Sequence, residues 1–176
     1  MGIHVRLLRD GTGTLTARAL SQPAEPGQAE AVVQGVAWLD RAELTFSQGS
    51  FQDVKDLSFG GIRFLGDVQN PDRPGLRILV PRGPDAAWVK ALAPSEDLRR
   101  RIAKVYDPTG KSLDPAPSVR IDIVLPGNVV SAGVQPAGRG VEADHERDRA
   151  WLSIPIAKAS EKGEELVFDV SWVAAR

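Results

Sequence analysis

Strict alternation of apolar and polar residues predicts that the chain begins with a β-hairpin. Ile3, Val5 and Leu7 fall on one side of a strand, with polar residues between them. Asp10-Gly11 is a strong signal for a two-residue turn, and the alternation resumes after it in TLTARAL. The pattern therefore indicates two antiparallel strands that share one buried face.

Two segments in the middle of the chain have helical spacing instead. In the first, apolar residues recur at the intervals of an amphipathic helix: Ala29, Val32, Val33, Val36 and Leu39. The second runs through residues 83–110, where Pro94 interrupts the pattern and Ser95 can cap a restarted helix. Between them lie three strand candidates, one of which has Gly60-Gly61 as a predicted bulge or sharp bend.

The last third of the chain returns to alternation, and each predicted strand has one apolar face. Its apolar positions are Val119, Ile121, Ile123, Leu125, Leu152, Ile154, Ile156, Leu166, Phe168, Val170 and Trp172. Such strands are typical of an antiparallel sheet covered on one side, because doubly covered parallel strands have continuous apolar runs. We predict an α+β fold, a curved antiparallel sheet with the two helical regions packed on one face.

Length and composition are those of one soluble domain. The chain is long enough for a single core, and we expect residues 1–176 to form one domain. Hydrophobic residues make up 42% of the chain and charged residues 26%, and the net charge is -1. No overall field therefore attracts nucleic acid. No apolar run approaches the roughly 18 residues that a membrane-spanning helix needs.

The sequence carries no catalytic or cofactor signature. It has no cysteine, which excludes thiolate metal sites and a cysteine nucleophile. No serine stands in a G-x-S-x-G elbow, and the stretches GTGTLT and GRGVEA lack dinucleotide-binding spacing. We expect a protein that is not an enzyme and that binds no cofactor and no metal.

The densest group of ionisable residues is VEADHERDRAW, residues 141–151. His145 could act there as a base or a metal ligand among its acidic neighbours. The alternative, which we favour, is that these charges solvate the turn of a hairpin. A second group, Arg99, Arg100 and Arg101, could contact a lipid headgroup or could simply complement a helix dipole.

Two regions of the chain resemble the LppM-type family of bacterial envelope lipoprotein domains. The opening VRLLRDGTGTLTARAL is similar to that family's first hairpin, in which an Asp-Gly-x-Gly turn joins two strands. The run VRIDIVLPGNVVSAGV, followed by RAWLSIPI, is similar to its PG-x-V-x-S-x-x-G run and the tryptophan-containing strand after it. The resemblance implies an exported, envelope-associated domain, and the mycobacterial member is associated with lipid binding between sheet and helices. We expect any signal, lipidated cysteine or membrane segment to lie outside this chain.

These observations give two functional hypotheses, with an enzyme based on His145 ranked third. The first is a non-catalytic extracytoplasmic domain that binds a lipid or other hydrophobic ligand and reaches the membrane only through a tether outside this chain. Its candidate cavity lining is Trp88, Ile121, Ile123, Phe168 and Trp172. The alternative is a protein-interaction or structural module of the cell envelope, with an envelope protein as partner and no small-molecule ligand.

Overall fold

Thirteen strands, two short α-helices and one 3-10 helix (Val54–Asp56) form the regular secondary structure of the described part of the chain. The structure is a computed structural model and describes residues 2–18, 33–34, 37–41, 46–68, 70, 72, 74–92, 118–138 and 140–174. The strands are β1 (Gly2–Leu7), β2 (Gly13–Arg18), β3 (Val33–Gln34), β4 (Ala37–Arg41), β5 (Phe46–Phe51), β6 (Ser58–Phe59), β7 (Ile62–Asp67), β8 (Gly75–Val80), β9 (Ser118–Val124), β10 (Gly127–Gln135), β11 (Glu142–Glu146), β12 (Arg149–Pro155) and β13 (Leu166–Ala174). The helices are α1 (Ala87–Leu92) and α2 (Ile156–Ser160), and neither is long enough to span a membrane.

The strands form two sheets instead of the single curved antiparallel sheet that the sequence predicts. The seven-stranded sheet has the order β11-β12-β9-β1-β2-β5-β4, and the six-stranded sheet has the order β10-β13-β8-β7-β6-β3. Among these described strands, neighbours are antiparallel except β1 and β9, which pair in parallel with Ile3 opposite Ile121 and Val5 opposite Ile123. The predicted opening hairpin is confirmed as β1 and β2, but the predicted two-residue turn is wrong, because Leu8 hydrogen-bonds to Thr12 across three intervening residues.

The inward side chains of both sheets belong to one hydrophobic cluster. The seven-stranded sheet contributes Ile3, Val5, Leu7, Leu15, Ala17, Val119, Ile121, Ile123, Ala150, Leu152 and Ile154. The six-stranded sheet contributes Phe59, Ile62, Phe64, Leu76, Ile78, Val80, Leu166, Phe168, Val170 and Trp172. Because these positions alternate with outward ones along each strand, the two sheets cover each other's apolar faces.

The first predicted helix is wrong. Val33–Gln34 form β3 and Ala37–Arg41 form β4, so two strands occupy part of the segment with helical spacing. Valine is β-branched and loses side-chain freedom in a helix, and Gly35 weakens a helix further. Pairing of β3 with β6 and of β4 with β5 then satisfies the backbone of this segment.

The prediction that two helical regions cover one face of the sheet is not confirmed. In the second region, α1 spans only Ala87–Leu92, and the predicted restart at Ser95 lies outside the described residues. The inward side chains of the seven-stranded sheet share one hydrophobic cluster with those of the six-stranded sheet. The coarser α+β description holds for a fold that is mostly β-sheet.

Helix α1 is fixed to the six-stranded sheet by a fully buried tryptophan, Trp88. Its Nε1–H donates to the carbonyl oxygen of Pro81 at 2.7 Å, and its backbone N–H donates to that of Gly60 at 3.2 Å. Gly60 has a φ of 53°, and a Cβ there would collide with the backbone of Trp88. The predicted bend at Gly60-Gly61 is thus confirmed, and both backbone conformation and close approach require glycine at position 60.

Replacing Gly60 with alanine tests this close approach. We expect Gly60→Ala to lower the free energy of unfolding by about 3 kcal/mol, because left-handed backbone disfavours a Cβ and Trp88 must also be displaced. Urea denaturation measures the difference. The control is Gly133→Ala, where a Cβ meets no atom within 4 Å and we expect a change below about 0.5 kcal/mol. Equal stability of the two variants would contradict the packing.

Candidate functional site

The stretch around His145 is the charged hairpin that the sequence favoured. Strands β11 and β12 pair in antiparallel register on either side of a turn at Arg147 and Asp148. The carbonyl oxygen of Arg147 accepts the N–H of Val129 at 2.6 Å, and that of Asp148 accepts the N–H of Leu125 at 2.8 Å. These hydrogen bonds fix the turn to the connection between β9 and β10, with Arg147 at a φ of 54°.

The ionisable side chains of β11 are not gathered into one centre. Glu142, Asp144 and Glu146 are exposed, whereas His145 between them is half-buried, so strand alternation puts the acids and the imidazole on opposite faces. Among the described residues, no group of three His, Asp or Glu side chains could hold a metal ion. Strand β11 itself therefore gives His145 no carboxylate on its own face.

The five residues predicted to line a cavity lie in the hydrophobic core. Four of them are 0% exposed and the fifth, Trp172, is 3% exposed; the four are Trp88, Ile121, Ile123 and Phe168. A side chain that lined a cavity wide enough for a ligand would have accessible surface facing it, so these five pack against their neighbours instead. The predicted headgroup residues Arg99, Arg100 and Arg101 lie outside the described residues.

A cleft of about 510 Å³ opens at the turn end of the β1–β2 hairpin. Its polar lining includes Arg6, Thr14 and Ser50. Arg6 lies opposite Thr14, and Thr14 lies opposite Ser50, so the three form one row across β1, β2 and β5 on the outer face of the seven-stranded sheet. Leu8 and Phe51 supply the apolar lining. The cleft therefore joins a polar row to an apolar end.

Hydrogen bonds within the hairpin turn fix the backbone at this end of the cleft. The carboxylate of Asp10 accepts the backbone N–H of Thr12 at 3.0 Å and its hydroxyl at 2.7 Å. These two hydrogen bonds lower the pKa of Asp10, because they favour its charged form. The N–H of Leu8 donates to the carbonyl oxygen of Thr12 at 2.8 Å, and the Leu8 side chain is left 46% exposed.

Beside the cleft, the carboxylate of Asp122 on β9 binds two arginines on the same outer face. Its Oδ2 accepts Nε of Arg120 at 2.7 Å, and its Oδ1 accepts Nη2 of Arg149 at 3.0 Å. The guanidinium of Arg120 lies 4.6 Å from the centroid of the Trp151 ring, which is a cation–π contact. We call Arg120, Asp122, Arg149 and Trp151 the arginine cluster.

His4 lies next to this cluster, directly opposite Asp122 across the parallel β1–β9 pair. Burial lowers the pKa of His4 and outweighs the opposing effect of Asp122. The positive charges of Arg149, Arg18 and Arg6 lower the same pKa further. Three arginines thus act on one half-buried imidazole, and the outer face around it is positively charged.

His4 should make the stability of the protein depend on pH. Its pKa in the folded protein lies below the ordinary value of 6.5, so the unfolded chain takes up the proton more readily. The stability that comes from neutral His4 is therefore complete above pH 6.5. It is lost as the pH falls from there through the folded-state pKa.

Replacing His4 with glutamine tests this linkage. We expect the decrease in unfolding free energy between about pH 7.5 and about pH 5 to be smaller in His4→Gln than in the wild type, as measured by urea denaturation at both values. His145→Gln controls for the loss of a histidine elsewhere in the same sheet. If the unfolding free energy of His4→Gln decreased as much as that of the wild type, His4 would not titrate as described.

Comparison with solved structures finds a likeness to the NMR structure of the Mycobacterium tuberculosis LppM protein folded domain. The sequence identity is 12% and the TM-score is 0.41, and the match covers 99% of this chain and 89% of that chain. This match names the same type of domain as the one that the sequence motifs resemble. No protein-family model matches the chain, and no curated protein matches its sequence.

Proposed function

We propose that this chain is a non-catalytic binding domain of the bacterial envelope, and that its cleft takes an amphiphilic ligand with an anionic end. The observation that carries the proposal is an exposed leucine beside an arginine in one concave site. Leu8 is 46% exposed, and the Arg6 side chain forms no hydrogen bond or ion pair with any described residue. An apolar chain could cover Leu8, and an anionic group could pair with Arg6.

The polar row suits a carboxylate or phosphate oxygen. Arg6 supplies a guanidinium, and Thr14 and Ser50 supply hydroxyl donors next to it in the same row. Hydrogen bonds between a guanidinium and an anion are about twice as strong as neutral ones. The anionic end of the ligand therefore belongs over Arg6.

The apolar end of the cleft suits a hydrocarbon chain. Phe51 contacts Gly13 so closely that a Cβ on Gly13 would lie 2.6 Å from Cζ of the ring. Phe51 is only 1% exposed, so its ring lies beneath the apolar end of the cleft, and the exposed apolar surface there belongs to Leu8. Covering this apolar surface with a ligand chain contributes about 25 cal/mol per Å².

The envelope location is supported by the sequence motifs that resemble LppM-type domains. The proposal keeps the lipid ligand that this resemblance implies and places it at a different position. The ligand lies on the outer face of the seven-stranded sheet, whereas the residues first considered for it, such as Ile121 and Phe168, are packed in the core. Membrane association would come only from a tether outside this chain.

Binding of decanoate below its micellar concentration tests the proposal by isothermal titration calorimetry. We expect the wild type to bind decanoate and Arg6→Gln to bind about tenfold more weakly, because a charge-assisted hydrogen bond is lost. Leu8→Ser should weaken binding about threefold or more, because less apolar surface is covered. Both variants alter exposed side chains, so their folding should match that of the wild type.

Arg63→Gln and Leu65→Ser are the matched controls on the six-stranded sheet. Leu65 is 43% exposed, close to the value for Leu8, and Arg63 is an exposed arginine that contacts Glu165 at 3.0 Å. Both controls should bind decanoate as the wild type does, because exposed ion pairs contribute little to stability. Absence of binding by the wild type, or equal losses in Arg6→Gln and Arg63→Gln, would reject the cleft. Absence of binding would favour the alternative of an interaction module.

A further inference from the structure

We infer that the arginine cluster is a second binding site, separate from the cleft, and that it takes a phosphate group. Arg120 and Arg149 are the phosphate-binding side chains, and Asp122 positions them. The inference does not depend on the cleft, because the two sites use different arginines. Either site can therefore fail its test alone.

Each of the two guanidinium groups has N–H donors that Asp122 does not bind. Arg120 uses Nε and Arg149 uses Nη2 to bind Asp122. No other hydrogen bond of either guanidinium is found within the described part of the chain. The side chain of Asp122 is only 17% exposed, whereas those of Arg120 and Arg149 are 46% and 50% exposed. The carboxylate thus forms the floor of the cluster, and the remaining donors face solvent.

The cluster is ordered before any ligand arrives. Asp122 fixes one nitrogen of each arginine, and the Trp151 ring supports the guanidinium of Arg120 at 4.6 Å. Trp151 takes this place because it lies opposite Asp122 in the β9–β12 register. A planar guanidinium held in this way loses little further freedom on binding, and its donors match the oxygens of a phosphate.

The surrounding charge favours an anion on the side of the cluster that faces β1. Arg18 on β2 and Arg120 on β9 are the two cross-strand neighbours of Gly2 on β1. Because glycine has no side chain, no side chain lies between the two arginines in that row. Burial is the main cause of the lowered pKa of His4, and Arg149, Arg18 and Arg6 lower that pKa further. On the opposite side of the cluster, Trp151 separates Asp144 from Asp122, but the exposed acid Glu146 lies directly opposite Arg149, so the anion is favoured on the β1 side.

Strand spacing separates the cluster from the cleft. Arg6 lies opposite Val124, and Val124 lies opposite Arg149, so the two arginines are two strands apart in one row. Two strand spacings amount to roughly 10 Å between the backbones. A single phosphate that binds Arg120 and Arg149 around Asp122 is therefore centred away from Arg6.

Proton NMR of the histidine and tryptophan side chains tests the inference with inorganic phosphate at constant pH and ionic strength. We expect a saturable shift of the His4 and Trp151 signals and none of His145. Arg149→Gln should weaken phosphate binding about tenfold, because one guanidinium is lost. The matched control is Arg77→Gln, since Arg77 is also held by a carboxylate, that of Asp169 at 2.7 Å and 2.9 Å, but on the six-stranded sheet.

The source of the phosphate group is decided by a second arm with phosphatidylcholine vesicles that contain or lack phosphatidic acid. Cosedimentation that needs both phosphatidic acid and Arg149 supports a lipid headgroup. Binding of inorganic phosphate without any difference between the vesicles supports a soluble phosphate ligand. The inference is overturned if neither probe binds, or if Arg77→Gln weakens binding as much as Arg149→Gln. Loss of phosphate binding in Arg6→Gln but not in Arg149→Gln would also overturn it and would leave the cleft proposal standing.

Discussion

Each sheet of this protein has one apolar face, and the two sheets remove those faces from water by packing on each other. The parallel pairing of β1 with β9 is central to this arrangement, because it joins the N-terminal hairpin to strands more than a hundred residues later. It sets Ile3 beside Ile121 and Val5 beside Ile123 in the layer that faces the six-stranded sheet. Because the inward side chains form this core, only the outward side chains can bind a ligand.

The same parallel pairing determines which side chains are neighbours on the outer face of the seven-stranded sheet. The register that buries Val5 and Ile123 also sets His4 opposite Asp122, and antiparallel pairing of β9 with β12 adds Trp151 to that row. Polar residues that are far apart in sequence thus share one surface, with Arg6 at the cleft. The outer face is positively charged around His4 because three arginines act on this imidazole and one carboxylate opposes them.

The features that could be predicted from the sequence are the local ones. The β1–β2 hairpin follows from Asp10-Gly11 and the alternation around it, and the bend at Gly60 follows from a glycine pair inside a strand pattern. Helical spacing failed for β3 and β4, because short apolar segments fit both periods and the sheet edges available for pairing decide between them. The second sheet and the position of His4 opposite Asp122 depend on long-range pairing, which alternation does not encode. Candidate residues such as Phe168 were apolar and inward as predicted, but inward positions in this fold are core.

The central claim is that the ligand binds outside the two sheets rather than between them. Intermolecular nuclear Overhauser effects from bound decanoate to methyl groups of the chain measure this directly. The account predicts contacts to the methyl groups of Leu8, which is exposed at the cleft, and none to those of Ile121 and Ile123, which are 0% exposed in the core. Contacts to Ile121 or Ile123 would contradict the account, because they would require the sheets to separate around the ligand.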